Sequence, residues 1–345
     1  MPGKNAYRFI GQLKWWEKGD DWQVVNRDDG TAWVPTALPF VVESTWRGVV
    51  PNDNTDDDRG WILVFHIPFS SLGLPSAPVS GTQCGMALSL HDRDDAAGTP
   101  ILAKHWPELM EPNRPVTWGQ LSFGVPDYSP PPVSPSETIT IRNKLNGKAV
   151  FDAHVGGHTT CGQDFGPSFF DGWGDANYAC YEQVNIQNQS DVADWPCVSK
   201  YYVTFPLDSI PINKAIFSAK LRIYQFGNSG QGHEPPPMPS LIQVLTVSQD
   251  WDEETITWNN APLANENVSQ AWVDPVSVFP GWPGVPREWD VSRAVSEAYL
   301  AGTALRLVLY SADAAQHSGK FFISSETGDW NSAGRPALEI IWGEP

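Results

Sequence analysis

Apolar and polar positions alternate along this chain in short runs with a period near two, and the runs break at Gly, Pro, Asn, Asp or Ser. Such runs predict half-buried strands, and the breaks predict turns. The clearest piece covers residues 240–262. Ser240–Ser248 (SLIQVLTVS) reads as an apolar strand, residues 250–254 as a polar corner, and Thr255–Trp258 as a second strand made of β-formers. Asn259-Asn260-Ala261-Pro262 then ends it, because Asn tolerates left-handed backbone and proline disfavours helix at the residue before it. The same pattern predicts strands over residues 61–68, 81–90, 199–205, 215–226, 305–310, 320–324 and 336–342, and a pair around Leu145-Asn146-Gly147. One helix is predicted: Asp290 caps it, Val291, Ala294, Val295 and Ala298 share a face, and Gly302 ends it. The fold class expected is all-β, with two antiparallel, jelly-roll-like β-sandwich domains (1–125 and 137–345). The proline-rich residues 126–136 form an extended linker between them, and the second domain carries the helix.

Composition sharpens this picture. The 345 residues suffice for two domains, and 31 Pro with 29 Gly fit the frequent turns of all-β folds. No apolar run is long enough to insert in a membrane. A net charge of −18 without a Lys/Arg cluster argues against nucleic acid as a partner. Cys161, Cys180 and Cys197 fall in one segment with no zinc spacing, which predicts one disulfide and a leftover thiol. Cys84, alone in an apolar strand, is expected to be a small core residue. Met1-Pro2-Gly3-Lys4 has no apolar signal stretch, so an expected secreted or cell-surface location needs a signal outside this chain.

Two stretches resemble known families. Trp251, Glu253, Thr257, Trp258, Asn260 and Pro262 stand where DNRLRE-type extracellular domains carry their W-x-E-x-x-x-T-W-x-N-x-P signature. That β-sandwich family overlaps carbohydrate-binding module family 96. Its other motifs recur in order: Asp152 at the second strand; Phe205, Leu207, Ser209, Ile210 and Pro211; Ala219, Leu221 and Tyr224; and the closing Phe322, Ser324, Ser325, Glu326, Arg335, Pro336 and Leu338. Before the linker, residues 7–124 resemble part of a family-9-like, DOMON-like carbohydrate-binding sandwich. The matching positions are Ile67-Pro68-Phe69, Leu72-Gly73-Leu74, Asp92-Arg93-Asp94, and Trp118, Gly119, Leu121, Phe123 and Gly124. The opening I-D-G-x-x-x-E-W-like strands of that family are missing, which would leave a sheet edge open to pairing.

Catalytic signatures such as H-E-x-x-H, G-x-S-x-G and the P-loop are absent, so the chain is not expected to be an enzyme. Among 17 Trp, those in strand or motif contexts (Trp251, Trp258, Trp289 and Trp342) are expected in the core. Trp173, Trp195, Trp282 and Trp330 lie in Gly-, Pro- and Asp-rich loops, where an indole can stack on a sugar ring or pack under the loop. Asp92, Asp94 and Asp95 are candidate ligands for a structural calcium ion, as are Asp53, Asp56, Asp57 and Asp58, with a solvated acidic loop as the alternative. Asp152 and Glu326 are lesser candidates. The two resemblances imply a secreted, non-catalytic protein that binds polysaccharide or cell-surface glycan. The alternative is a structural surface or filament protein that self-assembles by strand pairing between subunits, and polysaccharide cleavage ranks third.

Overall fold

The structure, a computed structural model, describes residues 3–12, 23–46, 61–91, 102–125, 127–132, 134–156, 174–192, 195–313 and 315–344. The chain forms two compact units, residues 1–126 and 127–345. The fold is all-β and antiparallel throughout.

The described residues of the first unit form small separate sheets. β1 (Tyr7–Gly11), β2 (Gln23–Asp28) and β3 (Trp33–Pro35) form one sheet. β4 (Val41–Trp46) pairs with β5 (Trp61–His66), β6 (Gln83–Met86) with β9 (Gly119–Ser122), and β7 (Leu88–Leu90) with β8 (Lys104–Trp106). An apolar cluster among its described residues is Val25, Phe40 and Val42, packed by Phe9, Leu38, Leu63 and Ile67. The strand predicted over 81–90 is broken in two. Its halves take different partners, Cys84 facing Leu121 across β6–β9 and Leu88 facing Trp106 across β7–β8. Cys84 is exposed rather than buried, because β6 is exposed along its whole length.

The second unit is a single eleven-stranded sheet that curls on itself. Its strands are β10 (Pro135–Arg142), β11 (Phe151–Gly156), β12 (Gln183–Val192), β13 (Trp195–Phe205), β14 (Ala215–Asn228), β15 (Ser240–Val247), β16 (Ala264–Val273), β17 (Val285–Asp290), β18 (Leu305–Ser311), β19 (Lys320–Ile323) and β20 (Ala337–Gly343). The order is β10-β20-β14-β19-β12-β13-β18-β15-β16, with β17 beside β14 and β11 beside β13. The curl turns at β12, which pairs with β19 through Gln183–Ile186 and with β13 further along. Alternation does its work here: Leu221 and Ile223 of β14, Ile242 and Val244 of β15, and Leu307 and Leu309 of β18 all point into one core. Trp289 closes it, its Nε1 donating to the Ile242 carbonyl and so tying β17 to β15. Within the expected linker, the Tyr128 hydroxyl donates to the Ile216 carbonyl and Pro135 already opens β10.

The predicted helix is α1 (Ser292–Ala301), with Val291, Ala294 and Val295 in the core and Gly302 left-handed at φ 66. The N-cap residue is Val291 rather than the expected Asp290, whose Oδ1 instead accepts from Ser292 N at 2.9 Å from one residue ahead of the cap. The strand predicted over Thr255–Trp258 is instead a run of turns. Asn260 accounts for the difference, its Oδ1 accepting from Thr257 N and its Nδ2 donating to Thr255 O. Backbone groups satisfied so locally have no need of a ladder partner. Trp258 is nevertheless buried, as are Trp289 and Trp342, while Trp251 is half-buried. The Trp258 ring lies against Gly156, where φ is +101 and an added Cβ would sit 2.2 Å from the Val198 carbonyl, so only glycine fits.

Candidate functional site

Trp282 and Trp330, nominated separately from loop context, meet in space. Trp282 stands on the connection between β16 and β17, which Asn228 and Gln231 hold in place: Val276 N donates to Asn228 Oδ1, and Gln231 Nε2 to Ser277 O. The two indoles are 5.1 Å apart at 80°. Phe279 joins Trp282 at 5.0 Å, and Phe226 joins it at 5.9 Å, with Phe321 next to Phe226 at 6.3 Å. Trp282, Trp330 and Phe279 are 51%, 63% and 57% exposed, a contiguous aromatic surface open to solvent. Phe226 reaches it by alternation, following Arg222 and Tyr224 on the outward face of β14 while Leu221, Ile223 and Gln225 are buried.

Trp330 is held from beneath. It lies in a short 3-10 turn, Asp329–Gly334, that Arg335 braces from an almost wholly buried position. The guanidinium donates from Nε and Nη2 to Thr327 O and from Nη2 to Asp329 Oδ1 at 2.7 Å. That hydrogen bond holds the exposed Asp329 carboxyl below its ordinary range. Thr327 Oγ1 and Ser324 N both donate to the Glu182 carbonyl, which ties the turn to the start of β12.

The 324–327 segment also borders a buried carboxylate group that draws its members from distant parts of the chain. Asp152 Oδ2 accepts from the Tyr201 hydroxyl at 2.6 Å and from Ser325 N at 2.7 Å, and Asp152 N donates to Glu253 Oε1 at 2.7 Å. Burial pushes the Asp152 carboxyl up to about 6, with the Glu326 charge adding to it. Burial, then the charges of Asp152, Glu326 and Glu254, push half-buried Glu253 to about 7. Asp152, Tyr201 and Ser325 are fully enclosed, so their hydrogen bonds tie β11 to β13 and to the 324–327 segment. Among the described residues no group of three or more His, Cys, Asp or Glu is arranged to hold a metal ion.

The other nominated residues divide as follows. Trp173, Asp92, Asp94 and Asp95 lie outside the described residues, as do Asp53, Asp56, Asp57, Asp58 and Cys161. Trp195 begins β13, and its side chain, like that of Cys197, is outside the description. The expected disulfide is not found among the described residues: Cys180 is a free, exposed thiol. No described helix is long and apolar enough to cross a membrane. Phe226, Phe279 and Phe321 were not anticipated at the site. Phe279 had a signal, standing three residues before Trp282 in the same Gly/Pro loop.

Residues 170–340 match the model of carbohydrate-binding module family 96. The matched span contains all five rings of the aromatic surface, together with Glu253, Ser325 and Glu326, whereas Asp152 lies before it. The match supports carbohydrate binding, in general terms, for this part of the chain, as the DNRLRE-type resemblance implied. It does not reach the first unit, whose DOMON-like resemblance is not confirmed by it. No curated protein matches the chain.

Proposed function

We propose that the chain is an extracellular, non-catalytic carbohydrate-binding protein that takes polysaccharide against the aromatic surface of its module. The observation that carries this is the contiguity of Phe279, Trp282 and Trp330, exposed together inside the matched span. An indole face offers large apolar area to the C–H side of a sugar ring, and a loop that is already packed spends little order on binding. Calorimetric titration with soluble glycans tests it. Trp282→Ala and Trp330→Ala are each expected to weaken binding about fivefold to tenfold, the equivalent of about 1 to 1.4 kcal/mol. Unchanged affinity in both variants would move the site elsewhere.

A further inference from the structure

The three exposed rings of the aromatic surface do not lie in one plane. Trp282 is inclined at 80° to Trp330 and at 72° to Phe279, in edge-to-face contact with both. In each pair the edge of one ring covers part of the face of the other, so the surface is a corner rather than a floor. Separate braces set this angle. The loop of Trp282 is gripped at three points of its stem: Asp274 O accepts from Arg287 Nη2 at 2.8 Å, Val276 N donates to Asn228 Oδ1 at 2.7 Å, and Ser277 O accepts from Gln231 Nε2 at 2.8 Å. Trp282 itself packs on Phe226 at 5.9 Å. Trp330 stands on the turn that Arg335 holds, and its ring is laid against Gly328, where an added Cβ would come within 2.8 Å of Cδ1 and 3.0 Å of Nε1. The backbone at 328, with φ −56 and ψ 163, suits any residue, so it is the indole that calls for glycine there. Bringing the two indoles into one plane would break these ring contacts.

We propose that this corner takes single, dispersed polysaccharide chains and not the flat face of a crystalline polysaccharide. The inference rests on the glycan-binding reading above and adds to it the physical form of the glycan. In a crystalline polysaccharide, neighbouring chains hold successive sugar rings in one plane, so a surface that binds it needs stacking faces in one plane too. Trp282 and Trp330 do not offer that. A flat face laid on one indole meets the other as a wall, and the C–H side of its sugars cannot rest fully on either. A dispersed chain can turn about its glycosidic bonds, so that one unit stacks on one indole while the next turns to the other or leaves the corner. The rings are braced before binding, so ordering them adds little to the cost of that turn.

The test joins titration to retention on solids, using the whole chain and its Trp282→Ala and Trp330→Ala variants. Calorimetry takes soluble oligosaccharides of both uncharged and uronate types, and co-sedimentation takes microcrystalline cellulose and chitin. At least one soluble series is expected to bind, about fivefold to tenfold more weakly in each variant. Neither solid is expected to retain the chain in a way that the variants reduce. In crystals of the complex with that oligosaccharide, the sugars touching the two indoles are expected at a steep angle to each other, or one sugar alone to fill the corner. Retention on cellulose or chitin that falls in either variant would overturn the proposal and leave the glycan-binding reading standing, as would successive coplanar sugars across both indoles. Soluble binding that both variants leave unchanged would place the site elsewhere, and the proposal falls with the aromatic surface. If nothing binds the parent chain, the glycan-binding reading itself fails and the proposal with it.

Discussion

The two units use the same short alternating strands and reach different ends. In the second, each strand shares its apolar face with others around one curl, so Tyr201, Val203, Leu221, Ile223, Ile242, Val244, Leu307 and Leu309 close on a single core. Among the described residues of the first, the sheets are two or three strands wide, and Met86, Leu88, Leu90, Trp106 and Leu121 remain at least a third exposed. Alternation supplies an apolar face; only a second sheet or a closed curl gives that face something to bury against. A folded scaffold is also what holds Trp330 in place, through buried Arg335 and the β12 backbone.

The largest effect expected from this contrast is in the core of the second unit. Trp289→Ala removes an indole that is 2% exposed and breaks the β17–β15 link, a loss of about 3 to 5 kcal/mol. Calorimetry of the whole chain should show the main transition moving down by many degrees, with a much smaller change for Phe40→Ala in the first unit. Equal shifts for the two would mean that the first unit is as well packed as the second.

An intermediate effect is expected from pH. Asp152 and Glu253 hold protons more tightly when folded, near 6 and 7, than in the unfolded chain, where they sit near 3.8 and 4.5. Their contribution is therefore fully favourable below about pH 4 and is lost as pH rises through 6 and 7, when buried charge must be carried. Urea midpoints are expected to fall between pH 5 and pH 8 by an amount equivalent to about 1 to 3 kcal/mol, and Asp152→Asn to flatten that slope. A midpoint that rises over the same interval, or a slope unchanged in the variant, would show that the carboxylates are not the cause.

The smallest effect belongs to the exposed strands of the first unit. Leu88→Ser, at a position 46% exposed, should change stability by less than about 0.5 kcal/mol. A larger loss would show that β7 is covered in solution.

Much of the second unit was legible from pattern alone. The strands at 240–248, 305–310 and 336–342 appear within a residue or two of their expected bounds, because alternation over several residues leaves one face for the core. Thr255–Trp258 misled for a local reason: β-formers in sequence did not become a strand once Asn260 and Asp252 had taken up the backbone donors and acceptors. At the site, Gly/Pro-rich context was enough to nominate Trp282 and Trp330. It could not add Phe226 and Phe321, which sit in strands, where an aromatic reads as core.

The sequence by itself determined the all-β class, the helix between Asp290 and Gly302, the acidic charge and the exposure of the loop indoles Trp282 and Trp330, since each depends on residue type and short-range periodicity. Tertiary structure alone decided which of them meet. Asp152, Tyr201, Glu253 and Ser325 converge, and Glu182, Phe279, Trp282 and Trp330 converge, across separations of up to 173 residues. Those meetings follow from the curl of the sheet, and no local pattern encodes a curl, because it is the burial of all the apolar faces at once that sets it.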